Sequence, residues 1–379
     1  MPHTLTAREL RTHSETILNP VVHIDDGLVT HIESAPHGND DDETVLTSTF
    51  FDIHTHGAAG FDVMHASASE LRNIQRFLAT RGVGHYLPTT VTAPLDHTLR
   101  ALDSLSCAIE APAGPGEALP VGVHLEGPFL SHTKRGVHTA AELLAPDITL
   151  FDRFQQAARG HIRLITLAPE LPGAMELIEH CTGLGIRVSL GHTDARATEA
   201  LAAVQAGATS ATHTFNAMRR LDHRDPGVLG TVLDDDRLYA EIICDGVHVA
   251  PELVRLFLKA KGFDRAILVT DSISATGMRD GTYQLGELQV TVAGDRCLLA
   301  GTDTLAGSVL TLPVALLNFS RFTGLPWFEA AAFASRNPAN MLGLSATVGN
   351  LAPGKPANFN RFDANGHLVA TYLHGSPVS

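Results

Sequence analysis

Lysine is scarce in this chain of 379 residues, with only four: Lys134, Lys259, Lys261 and Lys355. Lys and Arg together number 27 against 41 Asp and Glu, a formal net charge of −14. A general nucleic-acid binder or a binder of anionic membranes needs a basic face, so both classes are excluded. Any anionic ligand must meet a local basic cluster. Cysteine is equally sparse: Cys107, Cys181, Cys244 and Cys297 lie far apart with no C-x-x-C, which excludes a disulfide scaffold and a zinc ribbon. A reducing, cytoplasmic setting fits. No apolar run reaches membrane-spanning length, and the stretch Met1-Pro2-His3-Thr4-Leu5-Thr6-Ala7-Arg8 lacks an apolar core of signal-peptide size. The expectation is a soluble, non-exported protein. Low-complexity tracts and internal repeats are missing too.

What is present is a compact globular composition, 44% hydrophobic and 18% charged, in a chain long enough for one large barrel or two ordinary domains. Residues 1 to about 48 read as short strands, with Val21-Val22-His23-Ile24 and Leu28-Val29-Thr30-His31-Ile32 flanking the turn signal Asp25-Asp26-Gly27. From Phe50 the rhythm changes to apolar strands near 49–54, 83–90, 121–125, 161–167, 186–190, 208–213, 238–244 and 265–271, separated by helix-length segments. Alternation of this kind predicts parallel βαβ units, and eight strands predict a (β/α)8 TIM-like barrel. A doubly wound sheet is the rival, but the Gly-rich phosphate loop it carries after its first strand is absent. The strand-like stretch at 282–303 predicts an inserted hairpin, and helices follow at about 308–342. The C-terminal piece returns to strand-like sequence. We therefore assign 49–345 to a catalytic barrel and 1–48 with 346–379 to a small β-sandwich domain built from both chain termini.

Active sites of such barrels lie at the C-terminal ends of the strands, so residues there are weighed separately. Strand one ends in His54 and His56, which point to one face of a strand and therefore converge. An isolated His-x-His is more often a surface pair than a ligand pair. Here, however, strand three ends in His124-Leu125-Glu126, strand five in Gly191-His192-Thr193 and strand six in Thr212-His213-Thr214, all with metal-ligand side chains. Strand seven leads to Asp245-Gly246-Val247-His248 and strand eight ends in Val269-Thr270-Asp271, which supply acid–base groups. Nitrogen and oxygen donors without thiolate suit zinc, iron or manganese in a catalytic site that keeps a position open for water.

Gly122-Val123-His124-Leu125-Glu126-Gly127-Pro128-Phe129-Leu130 closely resembles the N-acetylglucosamine-6-phosphate deacetylases of the amidohydrolase superfamily. The resemblance runs in order from about 50 to 355. It includes Leu167-Ala168-Pro169-Glu170, Gly191-His192-Thr193-Asp194-Ala195, Thr212-His213-Thr214-Phe215-Asn216-Ala217-Met218, Leu305-Ala306-Gly307-Ser308 and Asn337-Pro338-Ala339. By position it implies Glu126, His192 and His213 as principal metal ligands. It implies His54 and His56 as a pair that some members keep for a second metal, with Glu126 bridging and Asp271 nearby. One metal or two remain open, and zinc, iron, manganese and cobalt are the candidate ions. The resemblance further implies His138, Asn216, Ala217, Arg224 and His248 as contacts to a sugar phosphate, Arg224 reaching a neighbouring subunit's site, and a homodimer. Lys355-Pro356-Ala357-Asn358-Phe359-Asn360-Arg361-Phe362-Asp363 departs from the relatives' Asp-containing strand.

Deacetylation needs a nucleophilic water, a polarised carbonyl and a proton for the leaving amine. Asp271 is the expected carrier of that proton, with a helix N-cap as its structural alternative. His248 is the expected partner of the acetyl carbonyl or sugar. Lys134 and Arg135 are read as solvated surface cations. Three rival functions stand beside this one. An amidohydrolase acting on a cyclic amide commonly bridges its metals with a modified lysine, and none of the four lysines sits at a predicted strand end. An N-acyl amino sugar of another kind would use the same chemistry. A catalytically silent metal-binding barrel would not need to keep Asp271 together with all five ligand candidates.

Overall fold

In the computed structural model, which describes residues 2–12, 15–36 and 42–379, eight parallel strands form a barrel. They are β1 (Phe50–Thr55), β2 (Val83–Thr90), β3 (Val123–Glu126), β4 (Ile162–Leu167), β5 (Arg187–Leu190), β6 (Ser210–Ala211), β7 (Tyr239–Ile243) and β8 (Ala266–Val269). Each pairs in parallel with the next. The ring closes at its C-terminal end, where Asp271 N donates to His54 O (2.9 Å) and His56 N to Ser272 O (2.7 Å). Strands β1 and β2 are buried along their whole length, as parallel strands covered on both faces must be.

The outer layer is α1 (Ala68–Thr80), α2 (Leu95–Glu110), α3 (Ile148–Ala157), α4 (Ala174–Gly183), α5 (Ala197–Ala206), α6 (Gly227–Asp234), α7 (Pro251–Arg265) and α8 (Leu312–Thr323). Local chemistry starts several of them. Ser67 and Glu70 form a capping box on α1, and the Asp147 carboxylate accepts from Leu150 N (2.6 Å) on α3. Inside the barrel, hydroxyls form a chain below the rim. His124 Nε2 lies 2.7 Å from Thr166 Oγ1, which lies 2.7 Å from Thr212 Oγ1, and Thr212 donates to Ser189 (2.6 Å). The metal-ligand candidates therefore stand on a satisfied polar floor.

The two ends of the chain share one sheet. Val45–Ser48 pairs antiparallel with Phe359–Phe362, which pairs with Leu368–Leu373. A three-stranded sheet of His3–Thr6, Pro20–Asp25 and Leu28–Ser34 faces it across a core of Leu10, Val22, Ile24, Val29, Leu46 and Phe359. The Asp26–Gly27 turn joins two of these strands with both residues at positive φ (48° and 73°), as a type I′ hairpin requires. Residues 1, 13, 14 and 37–41 of the segment assigned to this region lie outside the described residues.

The expected hairpin at 282–303 is instead a three-stranded meander of Gly281–Leu285, Leu288–Ala293 and Arg296–Leu299. Two glycine turns account for the extra strand, with Gly286 at φ 53° and Gly294 at φ 62°. The first turn is pinned to the barrel rim by Gly286 N donating to Asp62 (2.8 Å), and Glu287 pairs with His97 (2.8 Å).

Strand β2 carries a buried histidine far from the ligand candidates. Burial, with His374 nearby, pushes His85 down to about 4, and its Nδ1 has no partner. The folded chain holds His85 neutral, so below the unfolded value near 6.5 only the unfolded chain takes up this proton. Stability therefore falls as pH drops from about 6.5 towards 4, by about 2 kcal/mol between pH 7.5 and pH 5 for this group. A His85→Leu variant should lose that share of the slope. Urea unfolding of both proteins at the two pH values measures it, and parallel slopes would refute the assignment.

Candidate metal centre and cavity

Seven side chains from six loops and strand ends meet at the rim. His54, His56, Glu126, His192 and His213 are all buried, and they form two groups whose donor atoms cluster: His54–His56–Glu126 and Glu126–His192–His213. Glu126 belongs to both. Its Oε1 lies 3.2 Å from His213 Nε2, 3.3 Å from His192 Nε2 and 3.5 Å from His54 Nε2, while Oε2 lies 3.3 Å from His56 Nε2. Asp271 Oδ1 lies 3.2 Å from His56 Nε2 and 3.5 Å from His54 Nε2. His138 Nε2 completes the seven, 3.6 Å from Glu126 Oε2.

The tautomers follow from the partners on the far side of each ring. His56 Nδ1 donates to Thr89 O (2.9 Å), His192 Nδ1 to Lys134 O (3.0 Å) and His54 Nδ1 to Glu241 Oε2 (3.1 Å). Each turns its Nε2 to the centre, where a metal ion would take the place of a proton. His138 is reversed: its Nδ1 accepts from Thr92 N (3.3 Å) and from Thr92 Oγ1 (2.8 Å), so Nε2 carries the proton and donates into the cavity. Burial, reinforced by His192, holds His138 down at about 3, so it stays neutral. It is a hydrogen-bond donor, not a ligand.

The backbone is strained where it aims these groups. His192 (φ 48°), His213 (φ 31°), Ala217 (φ 50°) and Asp271 (φ 50°) adopt left-handed conformations, each at a cost of about 1 kcal/mol or more that the surrounding barrel must hold in place. Electrostatics point the same way. Burial disfavours the charge of Glu126 and Asp271, yet His54 and the other rings outweigh it and hold both carboxyls well below their usual range. Burial likewise opposes charge on His56, and hydrogen bonds to Asp271 and Glu126 lift it to about 9. Two buried carboxylates thus draw positive charge to one point. His54 Nε2, wholly buried, has no hydrogen-bond partner. Nitrogen and carboxylate donors, an orphaned ring nitrogen aimed inward and this demand for a cation fit a divalent metal.

A cavity of about 230 Å³ opens over the centre, lined by His56, Glu126, His138, His192, His213 and Asp271 on its floor and by Asn216, Ala217 and His248 on its wall. Asp245 accepts from His248 Nδ1 (2.6 Å) and from the backbone of Val247 and His248 (2.8 Å each), which fixes the ring and leaves Nε2 for a ligand. Asn216 Nδ2 donates to His213 O (3.1 Å). Of the residues singled out from the sequence, His124 and Arg224 stand apart. His124 shares the inward face of β3 with Glu126 but sits one layer lower, bonded to Thr166 and Ile53 O (3.2 Å), and burial keeps it neutral. Arg224 is exposed on the loop before α6 and does not line the cavity. Lys134 pairs with Asp194 (3.7 Å) and Arg135 is exposed, in line with their surface reading. No Lys or Arg lines the cavity among the described residues.

Sequence reasoning missed Glu241, Thr92, and the wall residues Val137, Leu285 and Thr304. Glu241 carried a legible signal, a lone acid inside the apolar strand Tyr239-Ala240-Glu241-Ile242-Ile243. The others carried none.

A parallel barrel that gathers histidine and carboxylate donors at its C-terminal rim, with a further aspartate facing an open cavity, defines the class as metal-dependent hydrolases. The amidohydrolase family model matches residues 45–377, and the chain belongs to that family. An N-acetylgalactosamine-6-phosphate deacetylase from Escherichia coli O157:H7 is 35% identical over 380 residues, covering 100% of both chains. An N-acetylglucosamine-6-phosphate deacetylase from Bacillus subtilis (strain 168) is 36% identical over 375 residues, 96% of this chain and 94% of that one. A solved mutant of the N-acetyl-D-glucosamine-6-phosphate deacetylase from Mycobacterium smegmatis, in complex with N-acetyl-D-glucosamine-6-phosphate, superposes with a TM-score of 0.94 at 33% identity. It covers 100% of this chain and 99% of its own.

Proposed function

We propose that this protein hydrolyses the amide of N-acetyl-D-glucosamine 6-phosphate to D-glucosamine 6-phosphate and acetate, in amino-sugar catabolism and cell-wall sugar recycling. The carrying observation is the pair of triads that share Glu126 beneath a cavity which Asp271 faces. Full-length likeness to deacetylases of amino-sugar phosphates supports it over the cyclic-amide and silent-barrel readings.

When bound, a divalent cation supplies Lewis acidity towards water and the amide carbonyl. Glu126, His192 and His213 would hold it, with His54, His56 and the shared Glu126 as the set for a second ion and Asp271 close by. Zinc suits these donors best. Asp271 takes the proton of the attacking water and returns it to the amine nitrogen as the C–N bond breaks. His138 donates Nε2–H to a substrate oxygen, and His248, held by Asp245, faces the sugar or its acetyl carbonyl. Asn216 and Ala217 border the same wall.

The phosphate is the demanding part. With no Lys or Arg in the cavity lining, its charge needs a cation from elsewhere, and the exposed loop of Arg224 can deliver one across a dimer. The working form is therefore a homodimer in which Arg224 of the partner subunit contacts the phosphate. Four unpaired cysteines, three of them buried, agree with a cytoplasmic setting. An Arg224→Ala variant should raise KM for the phosphorylated sugar about tenfold or more, one lost charge-assisted contact being worth roughly 1.5–3 kcal/mol. An equal loss with N-acetylglucosamine would remove this residue from phosphate binding.

A second reading has its own support, because the E. coli relative matched end to end is named for the galactosamine epimer. Acetate release from N-acetylglucosamine 6-phosphate, N-acetylgalactosamine 6-phosphate and N-acetylglucosamine, with metal-counted protein, decides. Highest kcat/KM with the first supports the proposal. Preference for the second reassigns the sugar, and release from none of them, with metal present, refutes it.

A further inference from the structure

We infer that Glu241 is the positioning residue that makes the His54–His56–Glu126 half of the centre take a metal ion. The inference rests on the two-ion reading of the site. Glu241 lies in β7, a strand that places no ligand at the centre, and its side chain is wholly buried. Oε2 accepts from His54 Nδ1 (3.1 Å) and from the backbone N–H of His213 (3.2 Å). Its other oxygen, Oε1, has no hydrogen-bond partner. No Lys or Arg pairs with it, and His54 is its one ionic neighbour among the described residues. A carboxylate that is buried, half bare and without a basic partner is strongly disfavoured unless positive charge stands close by. The shortest route to such charge runs through the His54 ring.

That ring connects two points. With Nδ1–H given to Glu241, Nε2 is left bare and lies 3.5 Å from both Glu126 Oε1 and Asp271 Oδ1. A carboxylate behind a ligating imidazole fixes its tautomer and raises its basicity. The neighbouring rings lack this support: His56 and His192 are backed by the neutral carbonyls of Thr89 and Lys134, and His213 Nδ1 by no partner. The backing charge is thus specific to one half of the centre. Because the same Oε2 also holds the backbone of His213, Glu241 ties the two halves together from behind.

The test is a zinc titration of metal-depleted wild-type and Glu241→Gln protein, read as bound equivalents per chain. Glutamine keeps an oxygen for both hydrogen bonds and removes only the charge. The wild type should bind two equivalents. The variant should bind its first with unchanged affinity and its second about 10–100-fold more weakly, with an unfolding midpoint no lower than the wild type's when metal-free. An unchanged second affinity overturns the inference alone, whereas a wild type that binds a single equivalent overturns the two-ion reading and the inference with it. A second measurement needs no variant. In zinc-loaded wild type, ¹⁵N spectra of the histidine rings should show His54 protonated at Nδ1, and an unprotonated Nδ1 overturns the inference.

Discussion

An Asp271→Asn protein should bind metal at Glu126, His192 and His213 and turn over substrate about 10³-fold more slowly, the scale that a positioned general base contributes. The substitution is nearly isosteric and removes only the ability to accept a proton. In the proposed mechanism Asp271 takes this role, and its geometry supports it over the helix-cap alternative. Its backbone is held on both sides, N donating to His54 O (2.9 Å) and O accepting from Ser308 N (2.7 Å), and the residue is turned by a left-handed φ of 50° so that its carboxylate faces the cavity. The neighbouring rings keep it ionised, with the proton-accepting form favoured far below neutrality. Kinetics must be read beside elemental analysis, because Asp271 also stands close to His54 and His56. Wild-type activity in a metal-replete variant would remove Asp271 from the base role. Loss of all bound metal would instead make it primarily a ligand.

Glu126→Gln should have a different signature, in which metal content fails before chemistry does. Both triads share this carboxylate, so one substitution takes a charged ligand from each. Loss of a supporting partner alone weakens metal binding by up to about 100-fold, and loss of the bridging ligand should exceed that. The amide also presents N–H where His56 or His138 already approaches Oε2 (3.3 and 3.6 Å). The purified variant is expected to carry little metal and to show no deacetylation. Its fold should persist, because the barrel floor of His124, Thr166, Thr212 and Ser189 is bonded without Glu126. Metal analysis with circular dichroism on the same sample measures both points. A fully metallated, folded and inactive variant would show that Glu126 serves the chemistry directly, not the binding of metal.

Much of this architecture is legible in the sequence. The eight strands fall within about three residues of their predicted spans because buried parallel strands are nearly uniform apolar runs, cut by glycine and polar residues at the ends. The insertion shows the limit of that signal. Residues 282–303 read as one hairpin, yet Gly286 and Gly294 turn the chain twice. Turn geometry, and not β propensity, set the strand count. Pairing of Phe359–Phe362 with Val45–Ser48 joins residues more than 300 positions apart, and strand-like composition at both ends was its only herald.

Within the centre the division is sharper. The sequence by itself determined the chemistry on offer, since imidazole and carboxylate at the ends of successive strands restrict the metal and the reaction whatever the details of packing. It also determined which face each side chain takes, because a strand alternates every residue. Depth and direction came only with the tertiary structure. His124 and Glu126 share a face, and only the stagger of β3 against β2 and β4 puts one in the hydroxyl floor and the other at the rim. Whether a histidine presents a lone pair or a proton depends on what stands behind it. Thr89 O, Lys134 O and Glu241 turn the Nε2 of three of them towards the centre, and Thr92 makes His138 a donor. Those partners are 33 to 187 residues away along the chain. Side-chain type is a local property, whereas tautomer, burial and charge balance belong to the closed barrel.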